Sequence, residues 1–197
     1  MTTPPTPPVT DELRAEAKAN PGSWVYAIDS GFAGASSVPP EGVIGAWHSD
    51  ENGELSAEFT PNPRYAPTPQ ARGWAAPTSS LERVLQLALS GYASVDQLHR
   101  EFAAADVVVF SGPEEGLFLA PAADGGQVVY AYTDAGKAAG SGYADHRAVP
   151  GAELAASLPD GVRIVVNPGS AVSTVIRPED VAGGTTPGAE RTRREAE

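Results

Sequence analysis

Ser170 closes an apolar run, Val-Arg-Ile-Val-Val at 162–166, within the tetrapeptide Asn-Pro-Gly-Ser at 167–170, and the same tetrapeptide occupies 20–23. A buried strand that ends in a Gly-Ser turn is where α/β enzymes often place a nucleophile or bind a phosphate. A Ser-His-Asp hydrolase would take Ser170 or Ser23 as nucleophile, His146 as base, and Asp145 or Asp160 to orient it. The flanks argue against this. A nucleophile elbow carries glycine two positions to either side of the serine, and Ser170 sits in Pro-Gly-Ser-Ala-Val. Turn chemistry alone accounts for the tetrapeptide: proline and glycine form the corners of a β-turn and the serine bonds the backbone locally. One copy precedes a strand and the other follows one, and their surroundings do not align as an internal repeat.

Other chemistries fail on spacing. His48, His99 and His146 are isolated, with no H-x-x-x-H or H-E-x-x-H neighbour, so no metal site is expected. His48-Ser49-Asp50-Glu51 reads as a solvated loop rather than an ion site. In Gly136-Lys-Ala-Ala-Gly-Ser-Gly142 the lysine precedes the spaced glycines, the reverse of a phosphate loop. Glu114 and Glu115 fall in an expected turn, and Glu179 and Asp180 at a helix start, where carboxylates favour the helix dipole or stay solvated. No catalytic residue and no cofactor is assigned.

The elements that would position these residues follow from pattern. Residues 1–10 are rich in proline and threonine and read as a disordered tail, and 11–19 as a short charged helix stopped by Asn-Pro-Gly. Strands are expected at 24–28, 43–48 and 55–59, the last two joined by a hairpin at Asp50-Glu-Asn-Gly53, because Asn-Gly adopts positive φ readily. Residues 61–78 carry five prolines and read as an ordered or semi-ordered connector. Two helices follow: one with Ser79 and Glu82 as a capping box and Gly91 past its end, one with Ser94 and Gln97 as another. Beyond them short elements alternate. Strand 107–110 is expected to turn at 113–116 and return over 117–120 as an antiparallel hairpin; strand 128–132, a helix at 134–139 and a loop opening at 140–142 come next. Strand 146–149, helix 151–157, strands 162–166 and 172–176, a helical turn at 178–181 and a disordered tail complete the chain. The expectation is α+β: a mixed β-sheet with helices packed mainly on one face, preceded by a small β-rich N-terminal layer. Its divisions are 1–19 tail and helix, 20–78 β-rich segment and connector, 79–182 α+β domain, and 183–197 tail.

Composition narrows the partners. Twenty-five acidic and 13 basic residues leave a net charge of −12, with 9 acidic and 2 basic groups in residues 1–60. Such a balance repels a phosphate backbone and an anionic membrane surface, so neither a nucleic-acid partner nor membrane insertion is expected. There is no cysteine, hence no disulfide or thiolate chemistry; no apolar stretch of membrane-spanning length and no secretory leader is read, so a cytoplasmic protein is expected. All three tryptophans lie in the first 74 residues. Of the aromatic residues there, Trp24, Tyr26, Trp47, Tyr65 and Trp74, a strand tryptophan is usually core, whereas an exposed one dominates interaction hot spots. Trp24, Trp47, Tyr65 and Trp74 are the candidate interaction residues, with Trp74 in the connector foremost.

The stretch from Val128 to Val181, with VVYAYTD, a variable loop, and AVPGAELAASLPDGVRIVVNPGSAVSTVIRPEDV, resembles the SseB-like domain, named after the enhanced serine sensitivity protein. Upstream, NPGSWVYAID, VPPEGVIGAW, FTPNPRY and LERVLQLALSGY resemble small actinobacterial proteins called type VII secretion system-associated. Together the resemblances span about residues 20–182 and rest on structural turns rather than catalytic signatures. They imply a cytoplasmic, non-enzymatic α+β accessory protein that binds a protein partner, a component or substrate of an ESX-type apparatus. The competing reading is a small hydrolase or ligand-binding enzyme centred on Ser170 and His146.

Overall fold

The structure is a computed structural model that describes residues 6–112, 116–141 and 145–183. It divides into two compact units, residues 1–76 and 77–197. The expected terminal tails lie for the most part outside the described residues, as do residues 113–115 of the turn at 113–116 and residues 142–144 of the loop at 140–145.

The first unit opens with α1 (Asp11–Ala19), whose N-cap Thr10 accepts from the Leu13 N–H, and continues into β1 (Trp24–Ile28), β2 (Val43–Ser49) and β3 (Leu55–Pro61). These form an antiparallel sheet in the order β1-β2-β3. Alternation along each strand sends Val25, Trp47 and Phe59 to one face, where the Trp47 and Phe59 rings meet at 4.6 Å. Gly45 makes that packing possible, since a Cβ there would run into the Phe59 ring. The β2–β3 hairpin forms at the expected residues by a different device. Only Gly53 takes positive φ (+76°); Asn52 does not, and the Asp50 carboxylate instead accepts from the N–H groups of Asn52 and Glu54, both at 2.8 Å.

Asp29, at the end of β1, ties the proline-rich segment to the sheet. Its buried carboxylate accepts from the Gly31 N–H (2.8 Å), the Tyr65 hydroxyl (2.8 Å), the Thr68 N–H (3.0 Å) and the Thr68 hydroxyl. Burial alone would raise this carboxyl, but the four donors outweigh it and hold it below its ordinary value.

The second unit places α2 (Ser80–Ser90) and α3 (Val95–Ala104) before a mixed sheet of β4 (Asp106–Phe110), β5 (Leu119–Pro121), β6 (Gln127–Tyr132), β7 (His146–Pro150), β8 (Arg163–Val166) and β9 (Thr174–Ile176). The order is β7-β4-β6-β8-β9; β6 and β8 are parallel and the other pairs antiparallel. The helices α4 (Ala135–Ala139), α5 (Gly151–Ser157) and α6 (Pro178–Gly183) alternate with the later strands. One expected hairpin is different. Only a bridge between Ser111 and Leu117 joins the ends of β4 and its return; β5 pairs with the start of β6 while β4 pairs with its end. A central strand flanked on both edges buries more apolar backbone than an isolated hairpin would, and β4 gains β7 as its second neighbour.

Alternation splits this sheet into unequal faces. Val107, Val109, Val129, Ala131, Ile164, Val166 and Ile176 are completely or almost completely buried on one, and Leu81 and Leu85 of α2, Phe102 of α3, Leu154 of α5 and Val181 of α6 are buried as well. The other carries Val108, Phe110 and Tyr132, covered by Ala138 of α4 and by Phe118. The architecture is thus α+β, with helices mainly on one face of a mixed sheet and a small antiparallel sheet before it. Among the described residues no helix is long and apolar enough to cross a membrane.

Candidate functional site

Both Asn-Pro-Gly-Ser copies are turns with glycine at positive φ, +74° at Gly22 and +75° at Gly169. In the second copy the turn closes conventionally, the Ser170 N–H donating to the Asn167 carbonyl at 3.2 Å, while the Ser170 hydroxyl accepts from the Val172 N–H at 3.0 Å. In the first copy the buried Ser49 hydroxyl takes the place of that bond, donating toward the Asn20 carbonyl (3.0 Å) and accepting from the Ser23 N–H (3.1 Å).

Asn167 is the unusual residue of the second copy. It is buried with φ +49°, the only non-glycine at positive φ among the described residues. Its side chain accepts from the Thr133 N–H at 3.0 Å and donates to the Thr133 hydroxyl at 3.1 Å, locking the ends of the parallel strands β6 and β8 together. The carboxyl ends of adjacent parallel strands are the usual ligand position in open α/β sheets. A cavity of about 280 Å³ lies there, lined by Tyr132, Lys137, Gly140, Ser141 and Asn167–Ser170. Two of its lining side chains, Asn167 and Lys137, are engaged by groups outside the lining. The Lys137 ammonium pairs with Glu82 at 2.9 Å and Asp134 at 3.6 Å; the Thr78 N–H and hydroxyl both donate to Glu82 at 2.8 Å. Burial would raise the Glu82 carboxyl, yet the Thr78 N–H and Lys137 hold it below its ordinary value; burial would lower Lys137, yet Glu82 and Asp134 raise it. Among the described residues no buried side-chain polar atom lacks a hydrogen-bond partner.

The Ser170–His146 pairing does not form. His146 lies on β7, three strands across from β8, a separation of about 14 Å at the usual strand spacing. Asp160 is at the opposite end of β8 from Ser170. Lys137, the one cation of the glycine-rich run, is committed to Glu82, and Asp180 to Arg177 at 2.9 Å. Glu114 and Glu115 lie outside the described residues. No group of three or more His, Cys, Asp or Glu among the described residues is placed to hold a metal ion.

The four candidate interaction residues are not gathered into one patch. Trp24 is 47% exposed and meets His48 edge-on at 5.3 Å. Trp47 is 2% exposed on the opposite face, where Phe59 covers it, so it offers nothing to a partner. Tyr65 is half-buried and spends its hydroxyl on Asp29. Trp74 is half-buried, with the Arg72 guanidinium 5.4 Å from its ring. The structure adds instead two residues to Trp24: Tyr26 at 51% and Ile28 at 38% exposure, on the same face of β1. Their signal was the alternation Trp-Val-Tyr-Ala-Ile. It puts all three large residues on one side, but which side faces out is decided by Trp47 and Phe59, which fill the inner face and leave room only for Val25 and Ala27. Trp24 and Tyr26 wall a shallow groove of about 350 Å³ that runs over Gly45 and Ala46 to Pro61, Asn62 and Arg64.

No match is found among curated proteins or among solved structures. One family model does match: SseB protein N-terminal domain, over residues 81–183, more than half of the chain. That span runs from α2 through α6 and takes in both the Thr133–Asn167 lock and the Glu82–Lys137 pair. The chain therefore belongs to the SseB family.

Proposed function

We propose that this protein is a non-enzymatic accessory or adaptor protein of the cytoplasm, which acts by binding another protein of a type VII (ESX-type) secretion apparatus or one of its substrates. The observation that carries the reading is the row of Trp24, Tyr26 and Ile28, three large apolar side chains side by side at the surface of the first unit. Residues of these types at an exposed site are the usual anchors of protein recognition. The engagement of the Asn167, Thr133, Lys137 and Ser170 side chains by other groups of the protein supports a structural rather than a chemical role for the second unit. The secretion context draws on the resemblance of the segments between residues 20 and 92 described above.

Affinity capture from the native host tests this, with the full chain as bait and with Trp24→Ala and Trp74→Ala variants alongside. The expected result is a defined secretion-related protein captured by the wild type and lost from Trp24→Ala. Capture of no such protein by any of the three sinks the reading.

A further inference from the structure

The backbone of β1 carries an inference that goes further and rests on the protein-binding reading. In an antiparallel ladder, alternate residues direct their N–H and C=O toward the neighbouring strand and the rest direct them away. The phase is set at both ends of β1. The Ser49 N–H donates to the Ser23 carbonyl at 2.8 Å, and the Asp29 N–H to the Gly42 carbonyl at 2.9 Å. With Trp24 opposite His48, Tyr26 opposite Ala46 and Ile28 opposite Val43, the residues that face away from β2 are Trp24, Tyr26 and Ile28. These are the same three whose side chains are exposed. One row of residues thus offers both unpaired backbone groups and apolar anchors.

The two edges of this sheet are treated differently. The β3 edge is blunted by Pro61, which has no N–H, by the exposed Glu58, and by a register shift opposite Trp47–Ser49. The β1 edge has no proline, no charged residue and only one register irregularity, at its last residue. An unprotected edge is what a strand-adding ligand requires.

Charge selects the occupant. The first unit carries nine acidic and four basic residues, a net charge of −5; seven of the acidic residues (Asp11, Glu12, Glu16, Asp50, Glu51, Glu54 and Glu58) are exposed against the four basic ones, Arg14, Lys18, Arg64 and Arg72. A second copy would carry the same net negative charge and be repelled over the whole unit, whereas an extended cationic segment is drawn to it. We propose that β1 is a docking edge that accepts a basic, extended segment of a partner protein as a fourth strand, with Trp24 and Tyr26 packing against its apolar side chains.

Amide hydrogen exchange by NMR on the full chain tests this with two synthetic probes, Lys-Val-Thr-Val-Lys-Val-Thr-Val-Lys and its analogue with glutamate at each lysine. The expected result is fast exchange of the Trp24, Tyr26 and Ile28 amides in the free protein and at least about tenfold slowing with saturating lysine peptide. The glutamate peptide leaves exchange unchanged, and Tyr26→Lys, a change at an exposed side chain, abolishes protection while leaving the rest of the amide spectrum in place. Absence of slowing with the lysine peptide overturns the proposal, as does equal slowing by the glutamate peptide. Slow exchange of these amides in a self-associated free protein assigns the edge to a second copy and overturns it too. Mapping the same amides with any captured secretion partner separates the two readings: a partner that binds without protecting β1 removes the docking edge and leaves the accessory function standing.

Discussion

Asp29→Asn keeps the size of the side chain and removes its charge, and the geometry around it makes that change costly. The carboxylate receives four donors from Gly31, Tyr65 and Thr68 on its two oxygens; an amide accepts on one oxygen and turns an NH2 toward donors on the other side. A loss of about 2–3 kcal/mol of stability is expected for the first unit. All three tryptophans lie in that unit, so their emission during urea unfolding measures it directly. The pH dependence follows from the sign of the shift. The folded carboxyl lies below its ordinary 3.8, so its contribution is complete above that pH and disappears as the pH falls through the depressed folded value. The variant is expected to lose that acid-dependent component in the tryptophan signal; an unchanged acid transition counts against the role given to Asp29.

At the scale of elements, the second unit depends on one close approach. The Gly151 N–H donates to the Ala105 carbonyl at 2.8 Å where α5 begins, and a Cβ at Gly151 would run into the Phe102 carbonyl oxygen. Backbone at the end of α3 cannot yield as a side-chain tip would. Gly151→Ala is therefore expected to destabilise the second unit by about 3 kcal/mol. Gly140→Ala is the contrast: its φ is −71° and the nearest heavy atom to a Cβ is the Lys137 oxygen at 3.6 Å, so a change within about 0.5 kcal/mol is expected. Far-UV circular dichroism during thermal unfolding reads both. Equal midpoints for the two variants contradict the packing of α5 on α3.

For the whole molecule, the division at 76/77 predicts that residues 77–197 fold alone. They hold the six-stranded sheet, the helices that cover it and the Glu82–Lys137 pair, and the family match lies wholly within them. The fragment is expected to give a dispersed amide spectrum and a cooperative melt. A collapsed, poorly dispersed spectrum would show that the first unit is required. The charged pair adds a pH window: the Glu82 carboxyl is held below its ordinary 4.5 and the Lys137 ammonium above its ordinary 10.5. Its contribution is complete between those values, falls away as the pH drops through the lowered carboxyl, and is lost at the alkaline end as the pH rises through the raised ammonium.

Local pattern was enough for the helices and for most strand positions and turns among the described residues, because caps, alternation and Pro-Gly or Asn-Gly corners act over a few residues. Helices α2 and α3 begin at the serine caps read from the chain, and both Asn-Pro-Gly-Ser copies are turns with glycine at positive φ, the second closed by its own residues. Long-range pairing was not legible. That β4 lies between β6 and β7, that Asp29 gathers Tyr65 and Thr68 from almost forty residues away, and that Ser49 completes a turn twenty-six residues before it all depend on partners distant in sequence. The candidate site shows the same divide. Alternation by itself put Trp24, Tyr26 and Ile28 on one side of a strand; only the tertiary structure, by filling the other side with Trp47 and Phe59 and leaving β1 at an edge, turned that side and its backbone outward.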